Sequence, residues 1–399
     1  MHLAALVVGV LALVGLNLRA SLLAVAPLLP GIQVDLGISS SLAGLIVSMP
    51  VLLVGLGAAV SGWLPQSLRP AQVIAVSMLG ACAGILIRSA AGVTPHGLYS
   101  FFLGTLVLGT CLGMANAIVP VLIKPLKPSE QVTAAGVVNC ALCLGGALAA
   151  GLSQPLASLF SNRWDASLAL WCIPAFACAV ACLNLQDEVR PTDAVARRNT
   201  AISFHPLAIG LGLNMALQSF LSQATTTWLP TILVSNGASS QQSGALLATL
   251  MVAQLVTALT GAWIATRKAD QGNVVTAMYL LGLVGFVGCT QLGAPWNWMG
   301  AVLLGLGQGG TFSVALHLVV LRARDAASTT ALAATTLIMG YSLSATAPWL
   351  FGTLRDFTGS WSFALPVFSF VTLLGILAGR FAGRARLLPA PGELLQAKD

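Results

Sequence analysis

Uncharged apolar runs longer than a membrane is thick dominate this chain; Leu98–Ile123 and Ala331–Leu354 are two of them. About 20 such residues carry an α-helix across the hydrocarbon of a bilayer. A strand of a membrane barrel would instead alternate in polarity along its length. The composition agrees with spanning helices: 57% of the residues are hydrophobic and 7% are charged, against roughly a quarter charged in soluble proteins. A water-soluble globule of 399 residues could not cover its surface with so few charges. The expected fold class is an all-α, multi-pass membrane protein.

Hydropathy divides the chain into twelve segments, near 3–31, 40–64, 71–91, 97–123, 130–159, 164–185, 205–234, 240–266, 272–293, 297–322, 327–354 and 360–383. The one long polar connection, Gln186–Ser203, follows the sixth. Two six-helix bundles are therefore expected, 1–185 and 205–383, joined by a cytoplasmic linker at 186–204 and followed by a cytoplasmic tail at 384–399. Loops on the cytoplasmic side carry the excess of Lys and Arg. With both termini inside, fourteen basic residues fall in the cytoplasm, while Arg88, Arg163 and Arg355 fall outside and Arg19 stays within a span. Leu3–Leu16 with Ala24-Val25-Ala26 has the outline of a cleavable leader. No Lys or Arg precedes it and the apolar run continues to Leu29, so it is read as a retained first span.

The halves repeat each other at a spacing of 200 residues. Leu29-Pro30 matches Leu229-Pro230, Gly37 matches Gly237, Ser39-Ser40 matches Ser239-Ser240, Gly44 matches Gly244, Ala58 matches Ala258 and Trp63 matches Trp263. Leu and Ala coincide by composition alone, but Pro, Gly and Trp in one register do not. A parallel repeat of six spans is the architecture of the major facilitator superfamily, in which substrate binds near the midplane between the halves.

The net charge of +7 lies in short loops, with no aromatic-interleaved basic patch, so no nucleic-acid partner is expected. The eight cysteines all sit in apolar segments, and Cys140-x-x-Cys143 has no second pair, which reads as helix packing and not as a metal or redox centre. No cofactor is implied. Nor does any Ser/His/Asp set, carboxylate pair or metal-spaced group appear, so an enzyme is not expected.

Arg19 is the informative exception. A charge at the bilayer centre costs about 2.5–3.5 kcal/mol on insertion scales, so such a residue normally faces a cavity and meets an opposite charge. All eleven acids, from Asp35 to Asp399, lie at segment ends, in loops or in the tail. Arg19 thus has no carboxylate at its depth, and an anionic substrate is the natural complement; bracing the helix bundle is the alternative. The repeat places Ser219 opposite it, and a single cationic arm fits a monovalent anion better than a phosphate ester. Asn214, Gln218, Thr225 and Trp228 share one helical face. With Asn116, Asn139, Gln308 and Tyr341 they are candidate substrate contacts, joined by Gln254 as a further mid-span amide. For each the alternative is an interhelical hydrogen bond, about 0.6 kcal/mol on average in a membrane. His317, near the inner end of the tenth segment, is read as packing or gating.

Several motifs together resemble one group. Asn17-Leu18-Arg19, Ala26-Pro27-Leu28-Leu29-Pro30 and Asp35-Leu36-Gly37-Ile38-Ser39 are similar to the first span of the cyanate and nitroimidazole transporter family. Met49-Pro50, Trp228-Leu229-Pro230 and Gly305-Leu306-Gly307-Gln308-Gly309-Gly310 extend the resemblance over nearly the whole chain. It implies a major-facilitator transporter of the bacterial inner membrane, with small anions such as cyanate among the family's substrates. Asn17, two residues before Arg19, is a further candidate substrate contact. The chain departs from that pattern at Ala20, where the family commonly has Pro. It departs again at Ser222-Gln223, where an aromatic pair is common, and in Gly62–Arg69, which has no Asp.

The expectation is a monomeric secondary transporter of a small monovalent anion, working by alternating access in the lipid bilayer. Export of a small heteroaromatic compound, with Trp228, Tyr341 and Trp349 stacking on it, is the second reading. A non-transporting membrane sensor is the third.

Overall fold

A computed structural model describes residues 2–61, 69–123, 126–184, 205–266, 270–293, 295–323 and 326–384. The linker 186–204, the tail 385–399, and the Trp63 half of the tryptophan match lie outside these. Among the described residues there are helices and turns and no strand. The helices are α1 (His2–Leu23), α2 (Leu29–Leu36), α3 (Ser40–Ser61), α4 (Pro70–Ser89), α5 (Gly97–Ile123), α6 (Pro128–Leu159), α7 (Trp164–Leu170) and α8 (Cys172–Leu183). They continue with α9 (Pro206–Ser235), α10 (Ser240–Thr266), α11 (Gly272–Gln291), α12 (Trp296–Arg322), α13 (Ala326–Ser344), α14 (Thr346–Thr358) and α15 (Ala364–Gly383).

Where they are described, the twelve expected segments are helical, and three of them are broken: the first into α1 and α2, the sixth into α7 and α8, the eleventh into α13 and α14. Among the described residues, eight helical stretches can cross a membrane by length and composition, among them Leu6–Leu36 and Trp296–Arg322. Pro27 explains the first break. It has no N–H to give the carbonyl four residues back, and its ring crowds that carbonyl. The helix stops at Leu23, a 3-10 turn covers Ala26–Leu28, and α2 restarts behind it. Carbonyls stranded by the break find side chains instead: Gln154 Nε2 donates to Pro27 O (2.7 Å) and Arg88 Nη2 to Ser21 O (3.1 Å).

The internal repeat is visible in local structure. α2 ends on Gly37 at φ +61°, and the turn after α9 uses Gly237 at φ +93°, a region where a side chain is strained. Two residues on, Ser39 Oγ accepts the amide N–H of Leu42 (3.2 Å), and Ser239 Oγ accepts that of Gln242 (3.1 Å). Both serines cap the helix that follows.

The described chain forms two compact units, one of residues 1–193 with 226–251, the other of 194–225 with 252–399. In the first, α4 packs on α5 and α8, α1 packs on α6, and α3 packs on α5. In the second, α11 packs on α12 and α15. The α4–α5 and α11–α12 pairs use the same device. A Cβ on Gly84 would lie 2.7 Å from Leu108 N and 2.9 Å from Gly104 O. One on Gly285 would meet Leu304 N and lie 2.8 Å from Gly300 O. Helix backbones approach this closely only where side chains are absent, and in lipid such close packing is a main source of association. In the second unit Phe286 of α11 also stacks on Phe368 of α15, with centroids 4.2 Å apart.

Candidate functional site

Glycines place Arg19. Where α1 crosses α6, a Cβ on Gly15 would stand 2.8 Å from Val138 O, and one on Gly145 would meet Leu16 O. The backbones touch, and one turn after Gly15 the Arg19 stem runs over Gly146, where a Cβ would lie 3.4 Å from Arg19 Cγ. The same point is 3.3 Å from Met251 Sδ and 2.9 Å from Leu23 Cδ1. Cys143, one turn before Gly146, is within electrostatic reach of the guanidinium. Arg19 itself is half-buried. It makes no hydrogen bond or ion pair with any described residue. The first unit therefore holds a guanidinium with its donors unused, about 13 residues into the Leu6–Leu36 span.

Asn17 is bound elsewhere. Its Nδ2 donates to Leu13 O (2.8 Å) and to Pro174 O (3.1 Å) in α8, while its buried Oδ1 has no partner among the described residues. Two residues make about 200° on a helix, so Asn17 and Arg19 point away from each other.

In the second unit the expected amides come together. Gln254 Nε2 donates to Gln308 Oε1 (2.9 Å), Gln308 Nε2 donates to Thr225 Oγ1 (2.9 Å), and Thr225 Oγ1 donates to Leu221 O (2.7 Å). All three side chains are buried, so this is a continuous polar thread linking α9, α10 and α12. Asn214 sits on the same α9 face but is engaged by Tyr279 of α11, whose hydroxyl lies 3.2 Å from both Asn214 O and Oδ1. Gly375 and Gly379 of α15 make room for this pair: a Cβ on Gly375 would be 2.7 Å from the Tyr279 hydroxyl, and one on Gly379 would be 2.8 Å from Asn214 Oδ1. Gln218 is buried and donates to the neighbouring Ser219 Oγ (2.7 Å).

The other candidates differ in burial. Trp228 is fully buried in the first unit. Asn116, Asn139 and Tyr341 are exposed on their helices, and their side chains make no hydrogen bond with a described residue. His317 Nδ1 is 2.8 Å from Ser313 O, a contact within its own helix.

Sequence reasoning missed Arg88. Expected in an outer loop, it is only 1% exposed, tucked beneath α1 with its Cζ 5.9 Å from the Phe101 ring centroid. The signal was present: the apolar run of the third segment continues past Arg88 through Ala90 and Ala91. Tyr279 was missed as well, because one phenol within an apolar helix carries no mark of its partner.

Comparison with known proteins settles the family. Residues 7–348 match the profile described as Major Facilitator Superfamily. The chain belongs to that superfamily. The cyanate transport protein CynX of Escherichia coli (strain K12) is 31% identical to it over 353 residues, 88% of this chain and 90% of that one. The 2-nitroimidazole transporter of the same organism is 28% identical over 382 residues, 95% of each chain. The fold is shared with the inward-open xylose transporter XylE from E. coli, at a TM-score of 0.76 over 98% of both chains and 15% identity. As a superfamily member the chain is a membrane transporter and not an enzyme, and its cargo is a small molecule.

Proposed function

We propose that this transporter moves a small monovalent anion, cyanate or one of its size and charge, across the bacterial inner membrane, with Arg19 as the countercharge at mid-membrane. One observation carries the reading: Arg19 is half-buried within a spanning helix and no described residue supplies an anion or a hydrogen bond to it. A charge so placed is stabilised when a ligand brings the missing one. The relation to the cyanate transport protein supports the same class of cargo. The excess of basic residues in alternate loops supports an orientation with both termini in the cytoplasm. Bundles 1–185 and 205–383 alternate around the site, so that it opens to one side at a time. The polar thread of Thr225, Gln254 and Gln308 offers neutral groups in the second unit. No carboxylate stands at the depth of Arg19 in the sequence, so the anion itself would carry any coupled proton, or the flux is an exchange.

The second reading is export of a different cargo, with Arg19 bracing the helix bundle and aromatic side chains meeting the ligand. Tyr341 and Trp349 are exposed aromatic side chains, and a relative is a 2-nitroimidazole transporter, so a neutral heteroaromatic compound is the competitor.

Uptake of labelled cyanate by proteoliposomes of the purified protein, with and without an inward proton gradient, separates the two. Saturable uptake, abolished in Arg19→Ala and partly kept in Arg19→Lys, is expected. Uptake by Arg19→Ala equal to wild type, in folded protein, would refute the anion reading.

A further inference from the structure

We infer that Arg88 supplies a second fixed positive charge to the Arg19 site from the far side of α1, and so determines how strongly that site prefers anions. The inference rests on the reading of Arg19 as the anion-binding arm.

Arg88 is almost completely buried, and a guanidinium stays charged inside a protein. Among the described residues it makes one hydrogen bond, from Nη2 to Ser21 O (3.1 Å). Its Nε and the neighbouring Ser21 Oγ are both buried, with no partner among the described residues. No described carboxylate pairs with it, and its guanidinium also lies over the face of Phe101. Ser21 follows Arg19 by two residues, about 3 Å along α1 and about 200° around it. The two guanidinium groups therefore flank one helix, separated by roughly its diameter of 10–12 Å.

Capping explains only part of this arrangement. Ser21 O is one of the last four carbonyls of α1, where the helix dipole gathers about half a negative elementary charge. That offsets about half of the guanidinium. A neutral amide would serve the carbonyl equally well and cost less to bury, and what an arginine adds is charge. Between half and one net charge at this separation, in a region of effective dielectric near 20, changes anion binding by about three- to tenfold. Salt screens so buried a charge poorly.

The test uses variants that part charge from capping. Arg88→Lys keeps the charge, and Arg88→Gln keeps a donor for Ser21 O without the charge. Arg88→Met is the second neutral variant, in case the glutamine does not fold. Two quantities are read in proteoliposomes of the full chain. One is KM for cyanate. The other is the ratio of modification rates at Cys143 by an anionic and a cationic methanethiosulfonate, followed by peptide mass spectrometry. Cys143 lies beside Arg19, so that ratio reports the local potential whatever the cargo is. Arg88→Gln is expected to raise KM about three- to tenfold with kcat unchanged, and to lower the anion-to-cation ratio at least as much. Arg88→Lys stays close to wild type on both. A wild-type ratio in the neutral variants, or equal loss in Arg88→Lys and Arg88→Gln, overturns the inference. Absence of cyanate flux in wild type is instead the failure of the Arg19 reading. The Cys143 ratio then decides on Arg88 alone: a fall in the neutral variants only sustains it, and no change refutes it.

Discussion

Gly145 and Gly146 are neighbours in α6, yet the same change at each is expected to give different phenotypes. In Gly145→Ala the new methyl meets backbone, with Leu16 C and Cα both 2.9 Å away and the carbonyl oxygen closer still. Backbone cannot rotate aside, so α1 and α6 must separate along their whole contact and lose dispersion with it. Overpacking of this kind costs about 1–3 kcal/mol. The gain of about 1 kcal/mol from replacing a helical glycine recovers only part of the upper range. In Gly146→Ala the methyl meets the ends and stems of flexible side chains, Leu23 Cδ1 at 2.9 Å, Met251 Sδ at 3.3 Å and Arg19 Cγ at 3.4 Å. Small torsional shifts relieve these contacts, at a cost the helix propensity offsets to within about 1 kcal/mol. The Arg19 stem must nevertheless move by a few tenths of an ångström. We expect Gly145→Ala to lower the apparent Tm in detergent by several degrees. Gly146→Ala should hold Tm but raise KM for cyanate severalfold. The measurements are the monodisperse fraction after heating and proteoliposome uptake. Equal destabilisation by the two alanines would refute the backbone-against-side-chain argument, and an unchanged KM in Gly146→Ala would remove Arg19 from the contact.

Tyr279→Phe removes the hydroxyl that engages Asn214 and leaves a buried amide without it; we expect a loss of about 1–2 kcal/mol, read as a lower Tm and restored in part by Asn214→Leu in the same chain. The Gln254–Gln308 pair is tested by a double-mutant cycle with leucine at each position, in which a coupling near 0.6 kcal/mol is the membrane average. Because the thread continues to Thr225, Gln308→Leu alone should cost more than Gln254→Leu, and the reverse order would contradict the donor sequence described above.

Segment positions were legible because the bilayer fixes the length of an apolar run; the break at Pro27 was not, because a single proline leaves the hydropathy of the 3–31 run unchanged. The repeat was legible where it uses glycine and capping serine, at Gly37-Ile38-Ser39 and Gly237-Ala238-Ser239. Its 200-residue register does not hold throughout: the crossing of Gly84 with Leu108 corresponds to that of Gly285 with Leu304, a slip absorbed by the intervening loops. Which way a polar side chain faces was not legible. In water the apolar stripe of a helix shows its inner face, but here lipid and protein interior are equally apolar. Asn17 and Asn214 are buried while Asn116 and Asn139 are exposed, although all four have similar apolar neighbours in sequence. Arg88 failed for a related reason, since a basic residue near a segment end is usually read as a loop charge and only the packing of α1 over it shows otherwise. Gln308 and Thr225 were legible as polar mid-span positions, but not as partners of each other.

Ordinary helix pairs are separated by a layer of interlocking side chains, 8–10 Å between axes. Where Gly84 meets Gly104 and Gly285 meets Gly300, that layer is missing. At these crossings there are no rotamers between the two helices to rearrange, and sliding one past the other would drive a carbonyl into a main-chain atom. α4 with α5, and α11 with α12, are therefore stiff struts. Whatever bending a transport cycle demands must be taken up by helices that keep side chains between them.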